Sequence, residues 1–312
     1  MTDSTVTGIV GLPFTDLPAA LVVELTEAGL DPALVHESVA AAVHEDLPGD
    51  DVTSWSTIPA SDEATADFVA RQDGTVAGLA VAELVFRFVL GNDVEIDRPV
   101  ADGSAVRKGD VLLTITGGTA LLLTAERTAL NYACHLSGVA TATAAWVAAL
   151  AGSPARVRDT RKTLPHFRAL EKYAVRCGGG VNHRATLSDQ ALVKDNHVLA
   201  AGGVVPAYQL VTSRYPGVPV QVEVTTLDQL RELLEAGVDQ ILLDNMSVEQ
   251  MTEAVSITAG RARLEASGGL TLERAAEVAA TGVDFIAVGA LTHSAPVMDI
   301  AMDLRPEGRP AP

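Results

Sequence analysis

Cysteine is nearly absent: Cys134 and Cys177 are the only two in 312 residues, and neither forms a CxxC pair. Nothing suggests a disulfide framework, so a reducing cytoplasm is the expected location. Aromatic residues make up only 4% of the chain. Basic residues are also scarce, with 22 Lys+Arg against 40 Asp+Glu and a formal net charge of −18. That balance argues against nonspecific binding to nucleic acid or an anionic membrane, but leaves room for one local basic pocket. The longest apolar region, "ALLLTAERTALNYACHLSGVATATAAWVAALAG", is interrupted by Glu126, Arg127, Asn131 and His135. It reads as one or two buried helices, not a membrane span. The start, "MTDSTVTGIVGLPF", has neither a basic n-region nor an apolar h-region and is not a signal peptide. What is abundant is Ala, Val and Leu within a 48% hydrophobic chain, which suits a helix-rich α/β protein of one large or two ordinary domains.

After a start expected to be mobile, "LPAALVVELTEAGL" and "PALVHESVAAAVHEDL" predict helices, the second opening at Asp31-Pro32. "ATADFVARQDGTVAG" predicts a strand, a turn and a second strand. "LAVAELVFRFVLG" predicts a helix ending at Gly91. "DVEIDRPVADGSAVRKGDVLLTITGG" alternates strands with Asp-Gly and Lys-Gly-Asp turns. Residues up to about 120 thus predict a small mixed domain. Its hairpin at 100–117 is similar to those of lipoyl and biotinyl carriers, but Lys108 lacks the flanks of an attachment lysine.

From about residue 155 strands and helices alternate regularly. "ARVRDTR", "ALVKDNH", "PVQVEVTTL", "DQILLDNM", "ARLEASGGL" and "DFIAVGAL" are the strands. Between them, "PHFRALEKYAVRCG", with Pro165 in its first turn, "AYQLVTSRY", "LDQLRELLEAG", "VEQMTEAVSITAG" and "LERAAEVAATG" are helices. Short connections and apolar strands indicate a parallel sheet, either doubly wound or TIM-like with fewer than eight strands.

The polar residues separate these alternatives. The strands end in order on Arg161-Lys162, Lys194-Asp195, Glu223, Asp244, Ser267-Gly268-Gly269 and Gly289. A barrel brings such ends to one face, and an open sheet spreads them in a line, so the set favours a barrel. Arg161, Lys162, His183, Arg184 and Lys194 are donors for carboxylates or phosphates. Glu223 and Asp244 suit sugar hydroxyls or a hard cation such as Mg²⁺. The small-residue turns in "EASGGL" and "AVGAL" offer backbone N–H groups to a phosphate. The site asks for a phosphorylated sugar, a metal ion and a carboxylated co-substrate.

Arg168, Lys172 and Arg176 share a helix with Glu171 and are equally well explained as surface or packing charges. Gly178-Gly179-Gly180 reads as a flexible helix stop and Cys177 as a buried structural residue.

Taken together, the motifs resemble the quinolinate phosphoribosyltransferase family, the carboxylating nicotinate-nucleotide pyrophosphorylases. "HEDLPGDDVTS", "AERTALNYACHLSGVAT", "DTRKT", "LEKYAVRCGGGVNHR", "LVKDNH", "VEVTTL", "ILLDNM", "EASGGL" and "VGALTHSA" follow in family order, covering nearly all the chain beyond the first 30 or so residues. One departure is Leu164-Pro165-His166-Phe167, where the family usually shows a Pro-Gly-Leu-like turn.

The resemblance implies an α/β fold, an incomplete six-stranded TIM-like barrel with an N-terminal α/β sandwich domain. The expected divisions are 1–30 as a mobile or helical extension, 31–137 as the sandwich, 138–290 as the barrel and 291–312 as a segment returning to the sandwich. It implies transfer of phosphoribosyl from phosphoribosyl pyrophosphate (PRPP) to quinolinate with decarboxylation, in NAD synthesis. Lys162, Lys194, Glu223 and Asp244 would be catalytic, the two carboxylates holding Mg²⁺ directly or through PRPP. Arg127, Thr160, Arg161, His183, Arg184 and Lys194 would bind substrate, with Ser267, Gly268, Gly269, Val288, Gly289 and Ala290 around the 5′-phosphate. A homodimer or larger homo-oligomer is implied, with Arg127 donated across its interface. The alternatives are a same-fold phosphoribosyltransferase with another acceptor, a Schiff-base lyase using Lys194 or Lys162, and a noncatalytic binding protein.

Overall fold

The computed structural model describes residues 8–306, so the expected mobile start lies in part outside the described residues. It forms two compact units, residues 8–141 with 296–306, and residues 142–295.

The first unit opens with α1 (Ala19–Glu27), α2 (Pro32–Asp46) and α3 (Ser54–Thr57). Asp31 caps α2 by accepting from the Ala33 and Leu34 N–H groups, with Pro32 in the first turn. Residues 8–30 are packed: Leu12, Leu17, Leu21 and Leu25 are buried. Next come β1 (Glu63–Ala70), β2 (Gly74–Thr75), α4 (Leu79–Leu90), β3 (Glu95–Asp97), β4 (Ala105–Val106), β5 (Val111–Gly118) and the long α5 (Thr119–Ala149). Helix α4 is almost wholly buried, its one polar stripe being the Glu83–Arg87 ion pair, and Phe86 meets Phe68 of β1 edge-on with ring centroids 5.6 Å apart. Strand β2 does not pair with β1 as the hairpin reading expects; it pairs with β4. Both edges of β1 are already taken, by β5 and by a strand from the chain's end, so no edge remains for β2.

The second unit begins with β6 (Arg156–Arg158) and α6 (Arg168–Cys177). It continues through β7 (Ala191–Val193), α7 (Asp195–Ala201), α8 (Val204–Arg214), β8 (Val220–Val224), α9 (Leu227–Glu235), β9 (Gln240–Asp244) and α10 (Val248–Thr258). It ends with β10 (Arg263–Ser267), α11 (Ala275–Ala279), β11 (Phe285–Ala287) and α12 (Ala290–His293). The chain then returns to the first unit as β12 (Ile300–Pro306), antiparallel to β1.

Two boundaries differ from expectation. Pro165 lies outside α6, because His166 takes a left-handed φ of 64° that a helix cannot include. Strand β7 stops at Val193, and Asp195-Asn196-His197 already belong to α7.

The six strands form one parallel sheet in the order β6-β11-β10-β9-β8-β7. Its edge strands β6 and β7 are not paired with each other, so no closed barrel forms. Val181 instead bridges the outer edge of β6, its N–H donating to Val157 O and its carbonyl accepting from Asp159 N–H. Register and the period of two sort the side chains into two faces. One face is aliphatic and buried: Val157, Val193, Val222, Val224, Ile241, Leu243, Leu264, Ala266 and Ile286. The other carries Arg158, Leu192, Gln221, Glu223, Leu242, Asp244, Glu265 and Ser267.

Candidate active site

The carboxyl ends of the strands on the polar face surround a cavity of about 370 Å³. Thr160, Arg161 and Lys162 follow β6, and Leu192 with Lys194 belong to the end of β7. Glu223 comes from β8, Leu242 and Asp244 from β9, Glu265 and Ser267 from β10, and Ala287 from β11. His183 and Arg184 enter from the loop before β7. The cavity thus gathers Thr160, Arg161, Lys162, His183, Arg184, Lys194, Glu223, Asp244 and Ser267 from the residues singled out in the sequence.

Its charges are arranged in like pairs. Burial lowers the proton affinity of the Arg184 guanidinium, and the neighbouring Arg161 lowers it further. The Nε of Arg161 is buried without a hydrogen-bond partner. Two guanidiniums facing one cavity repel each other until an anion joins them. Burial raises the Glu223 carboxyl, and the adjacent Asp244 raises it again, against the opposing pull of Lys194 and Lys162. Two carboxylates between two lysines make a patch where a cation or a ring of hydroxyls is favoured beside phosphate oxygens.

The loop that brings in His183 and Arg184 is tied down by other members of the basic segment. Lys172, only 4% exposed, donates to Asp159 Oδ1 at 2.5 Å and to His183 O at 2.9 Å. Asp159, fully buried, also accepts from His183 N–H at 2.7 Å and Asn182 Nδ2 at 2.6 Å. Burial pushes the Asp159 carboxyl up and the Lys172 ammonium down, and each is the other's main compensation. Arg168 donates to Thr163 Oγ1 and Ala185 O, and Arg176 to Asn182 Oδ1. These three cations therefore hold the loop and are absent from the cavity lining. Gly178-Gly179-Gly180 is a packed turn: Gly179 has φ 85°, and a Cβ at Gly180 would lie 2.8 Å from both Thr143 Cγ2 and Val175 Cγ1.

His183 departs from the expectation of a donor to a substrate anion. Its Nδ1 accepts from the Arg184 N–H at 2.7 Å, so Nε2 carries the proton and donates to Gln221 Oε1 at 2.8 Å. Both ring nitrogens are engaged inside the protein. Burial lowers the imidazole's proton affinity, with Glu265 opposing, and the neutral ring is the form this geometry needs.

The remaining expected residues lie beyond the lining. Gly268 has φ 97°, and a Cβ there would meet Asn245 Oδ1 at 2.2 Å. A Cβ at Gly289 would lie 2.8 Å from Lys162 Cδ and 3.5 Å from Thr160 Oγ1. Gly269, Val288 and Ala290 sit in the same two turns. Arg127 lies on α5 of the first unit and lines a different cavity of about 590 Å³ with Asp46, Asp50, Asp51 and Thr124.

The sequence reading missed Gln221 and Glu265. Gln221 precedes Glu223 by two residues and Glu265 precedes Ser267 by two, so the strand period places each on its partner's face. Glu265 is 1% exposed; its Oε2 accepts from Arg158 Nη1 at 2.6 Å and Gln221 Nε2 at 3.2 Å, while Oε1 accepts no hydrogen bond. A cavity of about 430 Å³ at the opposite strand ends, near Asp239, Arg261, Arg263 and Asp284, gathers none of these groups. Among the described residues no helix is long and apolar enough to cross a membrane.

Comparison with known proteins adds independent findings. Residues 51–137 and 139–303 match the families described as "Quinolinate phosphoribosyl transferase, N-terminal domain" and "Quinolinate phosphoribosyl transferase, C-terminal domain". The chain is 50% identical over 273 residues to a "Nicotinate-nucleotide pyrophosphorylase [carboxylating]" of Mycobacterium leprae, covering 86% of this chain and 96% of that one. It is 40% identical over 261 residues to a protein of Bacillus subtilis named as a probable enzyme of the same kind, covering 83% and 90%. Among solved structures, NadC from Streptococcus pyogenes superposes with a TM-score of 0.85 at 40% identity, covering 89% of this chain and 98% of that one.

Proposed function

The chain belongs to the quinolinate phosphoribosyltransferase family, and from that premise we infer that it transfers phosphoribosyl from PRPP to quinolinate with loss of CO₂, giving nicotinate mononucleotide and pyrophosphate. The observation that carries this reading is the single cavity in which Arg161, Arg184, Lys162 and Lys194 face Glu223 and Asp244. A dicarboxylate acceptor and a polyphosphate donor together supply the anions these cations need.

In this proposal Arg161 and Arg184 grip the quinolinate carboxylates, and Lys162 and Lys194 neutralise the charge that grows on the departing pyrophosphate. Glu223 and Asp244 lie beside the ribose and stabilise its oxocarbenium character. The pyridine nitrogen attacks C1 and becomes cationic, its charge stabilises the electron pair left on the adjacent ring carbon when the carboxylate departs as CO₂, and that carbon then takes up a proton from water. The protein orients groups and complements charge, and no covalent enzyme intermediate is required. Among the described residues no three His, Cys, Asp or Glu groups form a metal cage, but two carboxylates beside a polyphosphate are the donors a hydrated Mg²⁺ takes. Bound there, Mg²⁺ would supply Lewis-acid neutralisation of the pyrophosphate. The turns at Ser267–Gly269 and Val288–Ala290 would offer backbone N–H groups to the 5′-phosphate; a Cβ at Gly268 would collide with Asn245, and one at Gly289 would push on the Lys162 side chain.

The same reading has the sheet curl into an incomplete barrel, supported by the residues after β6 and β7, the two sheet edges, lining one cavity. It also has Arg127 donated by a second copy of the chain, in a homodimer or larger assembly in the cytoplasm. Incubation with quinolinate, PRPP and Mg²⁺, followed by the product's ultraviolet absorbance, tests the activity. Product from quinolinate but not from nicotinate is expected. Turnover of nicotinate alone would overturn the choice of acceptor.

A further inference from the structure

The polar face of the sheet carries a buried relay that runs into the cavity wall at Glu265, His183 and Arg184. Arg158 donates to Glu265, Gln221 donates to the same carboxylate oxygen, His183 Nε2–H donates to Gln221, and the Arg184 N–H donates to His183 Nδ1. Gln221 is 2% exposed and stands between the Glu265 carboxyl group, which accepts from Arg158, and an imidazole. Its amide oxygen can only accept and its amide nitrogen can only donate, so it imposes a direction on both neighbours. With its nitrogen turned to Glu265, its oxygen accepts the Nε2 proton of His183. That leaves Nδ1 without a proton, which is the one state that accepts the Arg184 N–H. A proton on Nδ1 would set two donors 2.7 Å apart. The guanidinium of the same Arg184 donates to Gln190 O and lines the cavity, so a shift of its backbone moves a cavity wall.

We propose that Gln221 is a positioning residue for the acceptor half of the site, fixing the His183 tautomer and through it the backbone of Arg184. The proposal rests on the functional reading above for the identity of the acceptor. The PRPP half, with Lys162, Lys194, Glu223 and Asp244, makes no hydrogen bond to this relay among the described residues, so the two substrates should respond differently.

The test is steady-state kinetics of Gln221→Leu and Gln221→Glu against the wild-type enzyme. Leucine removes that acceptor and leaves the His183 donor buried, with Glu265 Oε1 the nearest other acceptor at 3.5 Å and no hydrogen bond to it formed; the KM for quinolinate should rise about 5- to 50-fold, the scale of one unpaired buried donor, with the KM for PRPP nearly unchanged. Glutamate keeps an acceptor for His183, and a proton shared with Glu265 restores the link between them; it should recover most of the quinolinate affinity. An unchanged KM for quinolinate in Gln221→Leu, or equal rises for both substrates, would overturn the proposal.

Nitrogen-15 NMR of the wild-type imidazoles, with the His183 ring assigned by through-bond correlation to its own backbone amide, gives a readout that does not depend on any variant folding. An unprotonated Nδ1 is expected, and a protonated Nδ1 would overturn the relay. Wild-type protein that is inactive on quinolinate yet shows this tautomer would separate failure of the functional reading from failure of the relay.

Discussion

The two faces of the six-stranded sheet are built from the same strands and yet obey opposite rules. On the aliphatic face, Val157, Val193, Val222, Val224, Ile241, Leu243, Leu264, Ala266 and Ile286 are all nearly inaccessible and carry no side-chain polar atom. Their cohesion is area removed from water, roughly 25 cal/mol per Å², and it needs no particular partner. On the polar face, Glu265 and Gln221 are just as buried, but each requires a directed hydrogen bond. Glu223 and Asp244 stand side by side with their charges in conflict. One face stabilises the fold; the other keeps charges in conflict until substrate arrives.

Breaking the ion pair that anchors the loop carrying His183 and Arg184 should have the largest effect on stability. Lys172→Met leaves Asp159 buried with its charge uncompensated, and about 3–5 kcal/mol of stability should be lost by chemical denaturation. Lys162→Ala should lower kcat by about 10²–10³-fold with little change in melting temperature, because the side chain is exposed and acts on developing charge. A thermal shift as large as that of Lys172→Met would contradict the division between anchor and site.

On the aliphatic face, Ile241→Val should cost about 0.5–1.5 kcal/mol and leave kcat and both KM values unchanged.

Glu223→Gln sharpens the contrast. The folded-state pKa of Glu223 is raised, so the penalty on the native wild type grows as pH rises from the unfolded value toward the folded one and is complete above it. The variant should abolish turnover yet melt at a higher temperature near neutral pH. The gain should disappear below the unfolded glutamate pKa of about 4.3, where both folded and unfolded wild type are protonated. Melting curves across pH check the sign. The smallest effect is expected at His166→Gly, which relieves a left-handed φ of 64° and should change stability by no more than about 1 kcal/mol in the favourable direction.

Much of this was legible in the sequence because it depends on neighbours along the chain. Asp31-Pro32 starts α2 through local capping, and Gly91, at φ 86°, ends α4. The strands of the sheet followed from short apolar runs alternating with helices, and the strand-end residues that line the cavity followed from position alone. Boundaries failed where geometry intervened, as at His166 and at the early start of α7. The pairing of β2 with β4 was hidden because both edges of β1 are taken by strands 40 or more residues away.

By itself, then, the sequence determined the alternation of strands and helices, the apolar strands and the charged strand ends. Those are properties of residue type at a fixed period, and they survive without knowledge of the partner. Only the tertiary structure decided which cations meet substrate and which hold the loop, since Lys162 and Lys172 differ in partner and burial, not in chemistry. It also decided that His183 is neutral and points its proton at Gln221. Hydrogen-bond direction is set by what stands within 3 Å in space, and no residue can announce that from its place in the chain.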